Sequence, residues 1–362
     1  LRPVEKILSS TCFKPYFKTS NQTMNNFFVQ LFILLFASQV TFAQTSPPKG
    51  AAADKAIAAY SAGNLDELAT SLPTLAKQYP AHPFTLFFKA FVADRKDNNV
   101  QEALKGYSEV IKMAPDLMEP YLFRAIIFNE KGMYEKAIED ITNAIKYDTD
   151  KSSNLFTLRG EIYSTANKNE EAFADFKQAI QITPSIAKNY RGLMYTAPAI
   201  NKNDAAITII KNAVTGTEAE NAGIWEVWGD INLRTKRFDI ADKAYNKSIS
   251  LGVDATPDTY NSAAIAAMNV NNFSKAKQHA EKAITLAPKD FHYYNTRAEI
   301  SVHDKTWEEV YTWAQKALQV NEKSARANLL MAIGVKRTNR GDALSAEYEK
   351  KSKQLQAEGV KD

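Results

Sequence analysis

The side chains best placed to do chemistry in this chain are His292, Asn295, Glu299 and His303. They follow one another at i, i+3, i+7 and i+11, which puts all four on one stripe of a helix. Imidazole nitrogens and carboxylate oxygens are ligands of a zinc-type site, and Glu299 and His303, four apart, are spaced to share an ion. The two histidines, however, lie three turns apart, about 16 Å by helical rise, too far to hold one metal without a second helix intervening. Two readings follow: a metal-dependent accessory enzyme, or a polar stripe that holds a peptide. Other catalytic signatures are missing. There is no phosphate-cradling glycine loop, no G-x-S-x-G elbow and no H-E-x-x-H. The pairs Glu170-Glu171 and Glu308-Glu309 fall where a helix starts, and carboxylates there answer the helix dipole.

The elements that must position the stripe come from a motif of about 34 residues that recurs along most of the chain. Copies run Tyr121 to Asp148, Phe156 to Pro184 and Thr259 to Pro288. A unit that short cannot bury its apolar face alone, so each must stack on its neighbours. Counted from the first residue of each copy, position 8 is small (Ala125, Gly160, Gly192, Gly229, Ala264, Ala298, Gly334), as is position 20 (Ala103, Ala137, Ala172, Ala206, Ala241, Ala276, Ala346). Glycine inside a helix costs about 1 kcal/mol against alanine, so close helix approach has to offset it. Position 27 is alanine in Ala144, Ala179, Ala213, Ala283 and Ala317. Pro80, Pro115, Pro184 and Pro288 stop the second helix at position 32. Tyr121, Phe156, Trp225, Tyr260 and Tyr294, with Tyr134, Phe238, Phe273 and Trp307, read as core.

This pattern resembles the tetratricopeptide repeat. With copies starting near Lys49, Phe84, Met118, Ser153, Ser185, Ala222, Pro257, Phe291 and Ala327, an all-α solenoid of about nine helical hairpins is expected over 49–360, and the resemblance implies that it winds as a right-handed superhelix. The copy at Ser185 to Glu220 is the least regular, with Pro198 near the end of its first helix. Arg124 and Arg159, at position 7, face Asp140 and Asp175 at position 23, so each pair should tie one hairpin together. Arg191 and Arg297 lack that aspartate.

The resemblance implies a concave groove lined by the first helix of each repeat, which holds an extended peptide or a partner's helix. On that register the groove carries Asn154 and Glu161, Asn189, Glu226 and Asp230, Asp258 and Asn261, then His292, Asn295, Glu299 and His303, with Glu119 and Asn129 earlier. Asparagine both donates to and accepts from a peptide backbone, and the carboxylates favour basic side chains. Glu226, Asp230, Asp258 and Glu299 are expected to converge on one solvent-facing acidic surface. The expectation is a non-catalytic protein-binding scaffold without cofactor; a metal-dependent accessory enzyme, or an envelope component anchored by an uncleaved leader, is the alternative.

Upstream of the repeats, residues 24–43 read as a signal peptide. Their apolar run from Phe27 to Val40 is short for a membrane span, and Thr41 and Ala43 are the small residues a signal peptidase requires, which places cleavage before Gln44. Residues 1–23 fit no repeat, and 44–48 are a short linker. The only cysteine, Cys12, lies in that first segment, so the repeats carry no disulfide or cysteine nucleophile. The chain's formal charge of +4 falls to +1 once Arg2, Lys6, Lys14, Lys18 and Glu5 are set aside, leaving 41 basic and 40 acidic residues. No basic block remains to attract nucleic acid. The expected setting is the periplasm or envelope of a Gram-negative bacterium, with no stable membrane span in the mature chain.

Overall fold

A computed structural model describes residues 47–252 and 255–360, and all regular structure in them is helical. Residues 1–23, the leader 24–43 with its cleavage point, and Cys12 lie outside the described residues. The helices pair as hairpins. The first three are α1 (Ala51–Ser61) with α2 (Leu65–Gln78), α3 (Pro83–Arg95) with α4 (Val100–Met113), and α5 (Met118–Glu130) with α6 (Tyr134–Tyr147). Next come α7 (Ser153–Thr165) with α8 (Asn169–Ile182), α9 (Ala187–Thr196) with α10 (Asn203–Thr215), and α11 (Ala222–Arg234) with α12 (Phe238–Ser250). The last are α13 (Pro257–Asn269) with α14 (Phe273–Leu286), α15 (Phe291–His303) with α16 (Trp307–Val320), and α17 (Ala325–Arg337) with α18 (Asp342–Ala357). The first helices starting at Met118, Ser153, Ala222, Pro257 and Phe291 begin where the repeat pattern places them.

The hairpins form two compact units. One holds the described residues as far as Thr183 with Tyr195–Ile200; the other holds Pro184–Met194 and the residues from Asn201 on. The division falls in the irregular fifth repeat, where α9 has only 10 residues and Pro198 sits in a 3-10 turn over Ala197–Ile200. In the N-terminal unit the core is aromatic. Tyr60, Phe87, Phe91, Tyr107 and Phe123 meet with ring centroids 5.0 to 6.1 Å apart.

Each hairpin turns through a residue in the left-handed region. Gly63 and Gly132 take this conformation without a Cβ clash, and Asn98, Asn167, Asn201, Asn271 and Asn339 take it at φ between 53° and 60°. Asparagine tolerates that geometry better than other side-chained residues. At Asn271 the turn closes by Asn271 N–H donating to Met268 O at 3.0 Å and Asn272 N–H to Ala267 O at 2.9 Å. The following asparagine then caps the second helix: Asn64, Asn99 and Asn272 accept from the backbone N–H three residues on.

The arginine ties are present in the N-terminal unit. Arg124 grips Asp140 through two nitrogens at 2.7 and 2.8 Å and donates its third to Ser108 Oγ in the preceding repeat. Arg159 does the same with Asp175 and Thr142. Each arginine thus joins three helices across two repeats.

Ala125 and Ala264 at position 8 share a buried cluster with Ala137 and Ala276 at position 20, whereas two of the position-8 glycines lie against an aromatic ring. A Cβ on Gly229 would lie 2.7 Å from the Tyr245 ring, and one on Gly160 would lie 3.1 Å from Phe176. The glycines make room for a large aromatic four residues beyond the position-20 alanine.

The final repeat also needs correcting. Its first helix starts at Ala325, not Ala327, which makes Ala332 the residue at position 8. Ser345 Oγ donates to Ala332 O at 2.9 Å, so Ser345 holds the hairpin contact and Ala346 is exposed. Gly334 imitated the marker, but its backbone packs on Tyr311 of α16 instead. Ala276 is fully buried between α13 and its own helix. Ala276→Leu should therefore lower stability by about 1–3 kcal/mol, and Ala346→Leu should change it by less than about 0.5 kcal/mol in urea unfolding. The outer face of α18, with Glu347, Glu349, Lys350, Lys351 and Lys353, is exposed and polar.

Candidate functional site

In the C-terminal unit the first helices of neighbouring repeats touch directly, α11 with α13, α13 with α15 and α15 with α17. That contact sets them on the inner side of the local curve, where the stripe residues lie.

The inner face begins at Arg191 on α9. Its Nη1 donates to Asp230 Oδ2 at 2.8 Å, and its Nη2 lies 3.4 Å from Glu226 Oε2, both on α11. One guanidinium thus serves two carboxylates. The Tyr245 hydroxyl, buried under α11, donates to Asp230 Oδ1 at 2.8 Å, and Thr259 Oγ1 donates to Glu226 Oε1 at 3.0 Å. Burial pushes the Asp230 carboxyl up to about 6; Arg191 opposes the rise and Glu226 adds to it. Tyr245 is pushed up as well, first by burial and then by the charge of Asp230.

Further along, Asp258 is exposed and accepts from the Tyr293 hydroxyl at 2.8 Å. Asn261 has a buried side-chain oxygen with no hydrogen-bond partner, and so does Asn295, which is 2% exposed and donates to Ser324 Oγ at 3.2 Å. His292 Nδ1 meets Asp290 Oδ1 at 2.5 Å, and His303 is exposed at the end of α15. Asn189 is buried on α9. Asn154 and Glu161 are half-buried on α7, in the N-terminal unit, and so belong to a different body from the rest.

Glu299 overturns the expectation of a solvent-facing acid. It is 3% exposed and takes a two-nitrogen contact from Arg326 on α17. Its charge is neutralised, and it turns to Arg326 rather than toward His303. Arg326 is the second residue of the final repeat once that repeat starts at Ala325, the position held by Asp258 and His292 in the two before it. The mistaken register hid it.

Arg297 is also engaged. It is 4% exposed and donates to Glu281 at 2.9 Å, to Glu309 at 3.2 Å and to Ser301 at 2.7 Å. Burial alone would raise Glu309, but hydrogen bonds from Lys277, Ser301 and Arg297 carry it down to about 2. This network ties repeats seven and eight and faces away from the stripe's chemistry. Among the described residues, no group of three or more His, Cys, Asp or Glu side chains is arranged to hold a metal.

The raised Asp230 has a consequence for stability. An aspartate whose folded-state value lies above its unfolded one penalises the fold fully above the folded value, and the penalty disappears as pH falls toward the unfolded value. Asp230→Asn should remove that pH dependence. Between neutral pH and about pH 4, the unfolding free energies of variant and wild type should diverge by about 2–3 kcal/mol, the variant being relatively more stable at the neutral end.

The tetratricopeptide repeat family model matches residues 153–186 and 257–290, the hairpins α7–α8 and α13–α14. Human tetratricopeptide repeat protein 13 is 27% identical over 139 residues, covering 37% of this chain, and the match spans 16% of that protein's length. Among solved structures, the chain is similar to the C-terminal part of a TPR repeat-containing protein from Cytophaga hutchinsonii (17% identity, TM-score 0.49, covering 74% of this chain and 95% of that one). It is also similar to yeast Tom70 (18% identity, TM-score 0.48, covering 88% and 72%). Two of the hairpins thus match the tetratricopeptide repeat model, and the same helical hairpin recurs through both units.

Proposed function

We propose that this protein is a non-catalytic scaffold whose C-terminal unit holds an extended segment of a protein partner, favouring lysine and arginine, along its inner face. The observation that carries this reading is the excess of acceptors there. Arg191 is shared by Glu226 and Asp230, which leaves one formal negative charge, and Asp258 adds another at the surface. Such a surface selects segments rich in N–H donors and positive charge. The repeat family supports a protein partner in general terms. The apolar run Phe27 to Val40 ending at Ala43 supports export to the periplasm or envelope of a Gram-negative cell, and no described helix is long and apolar enough to cross a membrane.

The test is fluorescence anisotropy of a labelled twelve-residue alternating Lys-Ser peptide against the purified chain, with an alternating Gln-Ser peptide as control. The Lys-Ser peptide should bind more tightly, lose affinity as salt rises, and bind Asp258→Lys more weakly than wild type. Lys282→Glu, on the exposed face of α14, should not weaken binding. Equal affinity for the two peptides would refute the basic preference.

A further inference from the structure

We propose that proton uptake by Asp230 releases the basic partner, so that the C-terminal unit grips in neutral solution and lets go in mildly acidic solution. This rests on the inner-face reading above.

Among the described residues, few groups face Asp230. Arg191 approaches from α9, Glu226 lies one turn back on its own helix, and the Tyr245 hydroxyl comes up from α12, where it also meets Ser262 of α13. In the ionised state both Asp230 oxygens accept: Oδ1 from Tyr245 and Oδ2 from Arg191. The cluster of two carboxylates and one guanidinium then carries a formal charge of −1.

Whether the proton sits on Oδ1, where the Tyr245 hydroxyl turns from donor to acceptor, or on Oδ2 beside Arg191, the carboxyl loses its charge and its pull on the guanidinium weakens. Among the described residues, the other carboxylate beside the guanidinium is Glu226, 3.4 Å away and held on its other side by Thr259. Arg191 and Glu226 become a one-to-one pair, and the cluster's charge falls to zero. The excess negative charge that draws a lysine or arginine is lost with the uptake of a single proton. The switch lies in a mildly acidic range because the half-buried Asp230 carboxyl titrates near 6, unlike an exposed aspartate. Asp258, exposed and outside this cluster, sets the residual affinity.

The experiment repeats the Lys-Ser anisotropy titration at neutral pH and about one unit below the Asp230 midpoint, on wild type and Asp230→Asn. The variant retains His292 and His303 and differs from wild type only at position 230, so the comparison isolates that carboxyl. Wild type should lose about threefold to fivefold in affinity on acidification beyond what the variant loses, the size of one partly exposed charge pair. The variant at neutral pH should already show the weaker affinity. A carboxyl-carbon NMR titration should place the Asp230 midpoint near 6. Binding with the same pH response in both proteins, or an Asp230 midpoint in the ordinary aspartate range, overturns the switch while leaving the inner-face reading intact. Absence of binding at every pH overturns that reading, and the switch with it.

Discussion

Replacing Tyr245 by alanine should lower the stability of the C-terminal unit by about 3–5 kcal/mol, the loss expected when a large aromatic is cut out of a packed interior. Tyr245 is fully buried; its ring fills the space left by Gly229, and its hydroxyl satisfies Asp230 Oδ1. Tyr245→Phe keeps the ring and removes only the donor, so its cost should be smaller, about 1–3 kcal/mol. Gly229→Ala should be destabilising in the wild-type background and nearly harmless beside Tyr245→Ala, because the ring its Cβ would strike at 2.7 Å is gone. All four tryptophans, Trp225, Trp228, Trp307 and Trp313, lie in this unit, so tryptophan fluorescence during urea unfolding reports on it alone. Full additivity of the two substitutions would contradict the packing described.

Glu299→Lys should be comparably damaging, with a loss of about 3–5 kcal/mol. The substitution sets a lysine against Arg326 in a place where the glutamate is 3% exposed. Asp258→Lys, at an exposed position, gives up the hydrogen bond from the Tyr293 hydroxyl and should cost only about 0.5–1.5 kcal/mol. The contrast separates a carboxylate buried between two repeats from one that also faces solvent. If both reversals left the unfolding midpoint where it was, Glu299 would be a surface group after all.

What was legible in the sequence was the part that repeats. Helix starts such as Met118, Ser153 and Phe291 follow from small residues and stop signals at fixed offsets, and the Arg124–Asp140 tie follows from two positions inside one hairpin. What was not legible joins different hairpins. Arg191 looked unpaired because its carboxylates come from the next repeat's first helix, and no offset within a single repeat reveals them. Gly334 misled because a small residue serves equally well for packing within a hairpin or against the one before it. The acidic surface was overstated for the same reason: sequence lists charges, whereas the fold decides which are neutralised by a neighbour.

The central claim, that partners are held on the inner face of the C-terminal unit, is tested most directly by site-specific photo-crosslinking. A photoreactive side chain at Asn261 on the inner face of α13, and in a second protein at Lys282 on the exposed side of α14, would each be irradiated with the bound Lys-Ser peptide. The account predicts a crosslink from position 261, reduced by Asp258→Lys, and none from position 282. A crosslink from position 282 of equal or greater yield would place binding on the second helices and contradict it.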